Sequence, residues 1–470
     1  MLPFENLTGD AAFDWVRNAG PAMLGDALTG SARVIVVGAG TFADARVAGA
    51  PQVLHTYFTR ERGTNLNSEM QMNFEIESTA SLRIEPLATK TGTLLAAVDE
   101  VAHRFDPQAR GFSTSNPAAA EAWGRGDFER AVGLDPDFGA GWLAWARSLA
   151  QSGKSDQALA VTDRGLARRT LRSEASRAQL RVLAATIRKD VAERATALTD
   201  LAKLAPADTS ALLAAAEAHN LARNFQAAAD LYRQALAADP SNANAMNLLG
   251  YSEGYAGDLE AARKTFEEYG KRPESRLNAH DSLGEVYFMN GRFREAEREF
   301  LEVAALDPNF LGGASFVKAA YAHWLAGDLA GADAMFRKFA ATIAAKNVPL
   351  AMWREATWLY ATGRPDQALA TLSKAPADER IRRQLSVWQN PARLPSGLES
   401  LRTLYNATPP ALDGIERTLY GSALVDAGRT GEARTLLKRW PVPENSAEPE
   451  IDTLVFPKYL ALRKKLQLND

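Results

Sequence analysis

Four short segments carry residue types at spacings suited to chemistry. Gly250-Tyr251-Ser252-Glu253-Gly254 has the G-x-S-x-G form of a nucleophile elbow, in which a serine stands on a sharp strand-to-helix turn. Arg33 to Val37 (RVIVV), followed by Gly38-Ala39-Gly40-Thr41-Phe42-Ala43, has the apolar run and G-x-G-x-x-A of a dinucleotide fingerprint, with Glu61 lying 21 residues past Gly40 as a ribose-binding acid. Gly153-Lys154-Ser155 ends like a phosphate loop, and His280-Asp281-Ser282 gathers the three residue types of a hydrolytic triad.

Each of these fails on what must surround it. The serine motif falls inside a helical pattern, where Gly250 serves helix packing rather than a turn. The fingerprint is followed by only about ten helical residues before Pro51, too few for a doubly wound sheet with two nucleotide-binding halves. The phosphate loop lacks its first glycine, since Ser148 stands there. Residues i, i+1 and i+2 of one helix point apart, so His280, Asp281 and Ser282 cannot form a relay. The chain has no cysteine, which removes disulfides, thiolate metal sites and a thiol nucleophile. Its five histidines are spread with no two within 40 residues, so a helical pair of histidine ligands is impossible. No catalytic residue, metal ligand set or cofactor is therefore expected.

The elements that would hold any site follow from composition and period. Of 470 residues, 46% are hydrophobic and 24% charged, the balance of a folded chain with ample core. Net charge is −3, from 54 basic and 57 acidic residues, which gives no nucleic-acid footprint. No run approaches 18 uncharged apolar residues, so no membrane-spanning helix is expected. The start, MLPFENLTGD, has neither a basic nor an apolar leader region. As written the chain reads as cytoplasmic; a leader or anchor upstream of Met1 would place it in the periplasm or at a membrane. Asn6-Leu7-Thr8 and Asn406-Ala407-Thr408 match the glycosylation sequon, which matters only in a suitable secretory pathway.

Residues 1–110 read as a small α/β domain with a mixed sheet. A helix over 14–28, interrupted at Gly20-Pro21, precedes strands over 33–37, 53–59, 69–77 and 82–87 and a helix over 94–105. Pro86 marks the fourth strand as an edge, because proline cannot donate a ladder bond. From Asn116 onward, strands give way to Ala-, Leu- and Arg-rich helical patterns broken by Gly153, Gly257, Gly291, Gly327, Gly363 and Gly428. The step from 257 to 291 is 34 residues and the next two are 36 each, a period that marks a helical repeat array. The frame beginning at Leu277 carries Leu283, Gly284, Tyr287, Gly291, Ala296, Phe300 and Pro308; the frame at Ala243 carries Leu249, Gly250, Ala262 and Phe266. Small residues let two helices approach, large ones fill the gaps, and one repeat cannot bury its apolar face alone.

This pattern resembles the tetratricopeptide repeat family over about residues 117–440, in about eight repeats, with a C-terminal capping helix in 441–470. The segment LPFENLTGD, with Asp44-Ala45-Arg46, Gly49-Ala50 and Val53-Leu54, resembles the TolB N-terminal-like domain found at the start of many bacterial repeat proteins. Together they imply a mainly α fold, an α-solenoid of helix-turn-helix repeats behind a small α/β domain, and an accessory or sensory scaffold rather than an enzyme. The concave face of such an array is lined by the first helix of each repeat. Here it reads Asn244, Asn247, Tyr251 and Tyr255, then Asn278, Asp281, Glu285 and Phe288, then Tyr321 and Trp324, then Trp353 and Tyr360. Amides can bond a backbone and aromatics offer rigid area, so this face is expected to hold a partner peptide or helix. The alternative function is nucleotide or small-molecule sensing by the N-terminal domain. A basic run, Arg164, Arg168, Arg169, Arg172, Arg177, Arg181, Arg188 and Lys189, reads as a solvated face or as a dock for an acidic partner.

Overall fold

A computed structural model describes the chain except residues 32, 61–69, 207, 377–378, 390–394, 444–448 and 469–470, and except the side chains of 449–454. It contains two compact units, Met1–Ala218 and His219–Asp470.

The first unit opens with a four-stranded sheet. Strand β1 (Glu5–Asn6) pairs parallel to β2 (Gln52–Thr59); β2 pairs antiparallel to β3 (Met70–Ser78) and β3 to β4 (Ile84–Gly92). Alternation decides which face is buried. Met70, Met72 and Phe74 point inward from β3, and Phe58 stands opposite Met72 in register. Helices α1 (Val16–Ala27) and α2 (Leu94–Phe105) supply Val16, Met23, Leu24, Val98 and Val101 to the same core. β4 is an edge strand, as Pro86 predicts, and it slips register between Phe74 and Glu75.

Two expectations differ. The helix over 14–28 runs unbroken through Pro21. Proline cannot donate to the Arg17 carbonyl four residues back, and the Phe4 amide takes that carbonyl instead (2.9 Å). Gly20 admits the Phe4 ring, since a Cβ there would lie 2.3 Å from it. Arg33–Val37 is not a strand: it is irregular backbone with Ile35 and Val37 exposed, joined to Met1 through Val37 and Ala39.

Helical pairs then follow. In the first unit they are Pro117–Gly124 with Phe128–Leu134, Gly139–Gln151 with Ser155–Leu166, and Glu174–Arg188 with Val191–Leu204. In the second they are Ala243–Ala256 with Leu259–Tyr269, Arg276–Met289 with Phe293–Leu306, Ala314–Leu325 with Leu329–Ala344, and Val348–Ala361 with Pro365–Ser373. The turn inside a pair needs left-handed backbone, which glycine adopts without steric cost: φ is 88° at Gly257, 74° at Gly291 and 84° at Gly363. Aspartates such as Asp127, Asp190 and Asp258 then cap the second helix by accepting its first free amide hydrogens. The small-residue rule is literal. A Cβ on Gly250 would lie 2.6 Å from the Phe266 ring, and one on Gly284 2.6 Å from the Phe300 ring.

The second unit closes on itself. Past Glu379–Gln389 the chain turns through Leu398–Ala407, Gly414–Asp426 and Thr430–Leu436 and returns to the helices it left. The Trp440 amide donates to the Met289 carbonyl (2.9 Å), and the Trp440 ring meets Phe293 edge-on at 5.0 Å. The terminal helix, Pro449–Leu466, packs on both Gly414–Asp426 and Val348–Ala361.

Candidate interaction groove

The residues expected to line an open face lie in the second unit, on the first helices of successive pairs, and most of them meet other parts of the same chain. Asn244 is exposed. Asn247 accepts from Asn278 Nδ2 (3.3 Å) and from Ser282 Oγ (3.1 Å), an amide ladder between neighbouring repeats. Tyr251 Oη donates to Glu285 Oε2 (2.6 Å). Tyr255 meets Phe225 in a tilted pair at 4.9 Å and lies under the Arg439 guanidinium at 4.7 Å. Phe288 is wholly buried against Phe293. Tyr321 and Trp324 surround Phe456 of the terminal helix, at 5.3 and 5.9 Å. Trp353 Nε1 donates to Gln384 Oε1 (3.1 Å), and Tyr360 stacks on Trp388 at 4.5 Å.

Asp281 and Glu285, expected as groove carboxylates, instead hold Lys318. Its Nζ donates to Asp281 Oδ2 (2.8 Å) and Glu285 Oε1 (2.6 Å), and the lysine is 1% exposed. Burial alone would lower the lysine pKa; the two carboxylates outweigh it and hold the ammonium well above its usual range. Burial pushes the Asp281 carboxyl up, against the pull of Lys318. Sequence reasoning passed over Lys318, although it is the single lysine or arginine in the apolar helix Ala314–Leu325.

A second charge centre was also missed. Asp413, 1% exposed, accepts from Arg417 Nε (3.0 Å) and Arg439 Nη2 (2.7 Å to Oδ2), and lies 3.1 Å from Arg223 Nη2. Burial raises its pKa, but Arg439, Arg417 and Arg223 together hold it below the usual carboxylate range. Arg417 also donates to the Arg439 carbonyl, and Val442 packs against the apolar cluster that contains Phe266, Leu283 and Met289. The stretch Arg439-Trp440-Pro441-Val442 thus lies against the repeat helices through one main-chain bond, one aromatic contact and one guanidinium over Tyr255. No sequence signal within the repeat frame marks these residues, because they lie 147 or more residues from the repeat helices they meet.

The chemical look-alikes resolve as packing. Ser252 is wholly buried, donating to the Leu248 carbonyl (2.7 Å) and to Asn220 Oδ1 (3.0 Å). His280 Nδ1 pairs with Glu299 (2.7 Å). Thr41 and Asp44 form a reciprocal helix cap just after Gly40, while Glu61 lies outside the described residues. Among the described residues no group of three His, Asp or Glu side chains is placed to hold a metal, and no helix is long and apolar enough to cross a membrane. The basic run is largely paired: Arg168 with Asp137, Arg172 with Asp135, Arg181 with Glu193 and Asp200, Arg188 with Asp163, while Arg164 lies over Trp142 and Trp145.

Comparison with known proteins assigns the repeats. Residues 188–243 and 247–309 match a tetratricopeptide repeat family model, so this part of the chain is built of such repeats. No curated protein sequence matches the chain. Among known structures, YrrB, described as a TPR protein with an unusual peptide-binding site, is 16% identical; the match covers 45% of this chain and 90% of that one, with a TM-score of 0.25. A putative kinesin light chain of Podosopora anserina with nearly identical TPR-like repeats is 22% identical, over 37% of this chain and 97% of that one, with a TM-score of 0.28.

Proposed function

We propose that the chain is a non-enzymatic interaction scaffold whose second unit holds an extended segment of a protein partner along the first helices of its repeats. The observation that carries this reading is the seating of Arg439–Val442. The groove takes an extended stretch by a main-chain bond to Met289, an aromatic anchor beside Phe293 and a cation over Tyr255. These contacts are of the kind that give peptide recognition its affinity and its selectivity. A partner carrying a similar basic-aromatic-proline stretch would compete with the chain's own. The buried tyrosines and tryptophans on the face serve as its floor, and Asn244 remains open at its margin.

The test uses the full chain and a synthetic peptide spanning residues 437–443. An intramolecular segment competes at an effective concentration of about a millimolar, so the intact chain should bind the peptide weakly. Trp440→Ala removes the anchor and should tighten peptide binding at least about tenfold by calorimetry, with the helical circular dichroism signal retained. Absence of binding to both chains would overturn the reading.

A further inference from the structure

We propose that the second unit contains a binding site for a small, ring-bearing organic anion, in the cavity between the turn at Arg223, the helix Ala243–Ala256 and the returning segment 405–440. The inference shares Tyr255, Arg439 and Trp440 with the partner-binding reading but turns on Arg223 and is tested without a partner.

The cavity has a volume of about 990 Å³ and is lined by Arg223, Arg417, Lys438, Arg439 and Arg463 together with Tyr255 and other rings. That size suits a small molecule. Its charge is one-sided. Among the described residues, Arg223, Arg417 and Arg439 share the single carboxylate of Asp413, three guanidiniums to one anion. Of the remaining charged lining, Glu432 is held by Arg429 (2.6 Å) and Arg292 by Glu295, so neither offsets the excess. Glu285, behind Tyr255, is committed to Lys318 and Tyr251. Cations withdrawn from water without matching anions are costly, and an anion entering the cavity relieves that cost.

Two residues of the lining carry donors without a partner among the described residues. Arg223 Nη2 is satisfied by the carbonyls of Tyr405 (3.0 Å) and Thr408 (2.9 Å). Its Nε and Nη1, and the Tyr255 hydroxyl, are buried and make no hydrogen bond to any described residue. Buried donors are almost always paired, so three of them on two residues lining one basic cavity call for an acceptor. Burial keeps the Tyr255 hydroxyl protonated, hence a donor.

Backbone strain adds an independent mark. Arg223 sits in the helix-to-helix turn 34 residues before Gly257 and has φ of 62°, in the left-handed region where Gly257 and Gly291 stand in the following repeats. A large side chain is kept where glycine would relax the backbone, and strain of this kind concentrates at functional positions. Phe225, Tyr405, Tyr420 and Trp440 add flat apolar walls, which select an anion carrying a ring over a bare ion. A carboxylate and a phosphate present the same oxygens to these donors.

The full chain is titrated by calorimetry with inorganic phosphate, phenyl phosphate and benzoate, with benzyl alcohol as the neutral analogue. Phenyl phosphate or benzoate should bind at least about tenfold more tightly than inorganic phosphate, and benzyl alcohol should not bind. The tighter of the two ring-bearing anions identifies the oxyanion. Tyr255→Phe should weaken binding about tenfold. Arg223→Gly places the residue of the other repeats in the turn, so the fold is retained, and it should abolish binding. Failure of all three anions to bind at about 10 mM, or affinity unchanged in both variants, would overturn the proposal.

Discussion

Arginine is concentrated in two regions of this chain and does different work in each. In the first unit, Arg168, Arg172, Arg181 and Arg188 are 29% to 48% exposed, and each meets a carboxylate of its own on a neighbouring turn or helix. In the second unit, Arg223, Arg417 and Arg439 are 3% to 17% exposed and crowd one carboxylate. The first set is a solvated lattice in which water screens every pair, and each pair is worth little. The second has left water, and its strength depends on stoichiometry. The same residue type therefore makes a surface in one place and a charged interior in the other.

The contrast is open to direct attack. Asp413→Asn removes the shared counter-charge and leaves three guanidiniums facing one another. The second unit should lose about 3–5 kcal/mol of stability, read as a lower urea midpoint of its unfolding transition. A loss below about 1 kcal/mol would mean that these arginines are hydrated after all, and the distinction would fall.

Asp26, in the first unit, sharpens the comparison as a half-buried carboxyl that accepts from the Ser113 amide (3.3 Å). Burial raises its pKa to about 6, against the hydrogen bonds from Ser113. Between an ordinary carboxyl pKa near 4 and that value, the folded chain holds a proton that the unfolded chain has released. Its contribution therefore favours folding most below about pH 4, declines as pH rises toward 6 and is level above. Asp413, with its depressed pKa, has the opposite sign: its stabilisation is present above the ordinary value and is lost only when pH falls through the lowered one. Asp26→Asn should stabilise the first unit at pH 7 by on the order of 2 kcal/mol, and the gain should vanish near pH 4. A gain that does not depend on pH would show that the carboxylate is not the cause.

The smallest effect is expected in the solvated lattice. Asp163→Asn breaks the pair with Arg188 (2.7 Å), both partners being about half exposed, and should cost about 0.5 kcal/mol or less, fading in 1 M salt. A larger, salt-resistant loss measured by denaturant titration would erase the difference between the two regions.

The helical pairing was legible because its signals are local. Gly250 and Gly284 must face Phe266 and Phe300, and Gly257 and Gly291 must open the turns, at spacings visible in the chain itself. Lys189 and Arg223 occupy that same turn position, with φ of 56° and 62°, and complete the series where the glycine pattern appeared to lapse. The strand expected at 33–37 failed because a short apolar run carries no information about whether an edge is free to receive it. The helix expected to break at Pro21 did not, because its orphaned carbonyl found the Phe4 amide in another segment. On the candidate face, periodicity puts Tyr251, Glu285, Phe288 and Tyr321 on the first helices of their pairs, where they are buried or half-buried. It was silent on Lys318, Asp413, Arg439, Trp440 and Phe456, which decide whether those side chains meet water.

What the sequence determined by itself is the repeating unit: two helices, a left-handed turn and a steric code of small against large, all set by contacts within or between adjacent repeats. What only the tertiary structure decided is what the inward face meets. Met289 and Trp440, or Arg223 and Asp413, are separated by 151 and 190 residues, and their meeting depends on the summed geometry of every pair between them. Helical period places residues on a common face, but it carries no record of a segment that returns from so far along the chain to cover it.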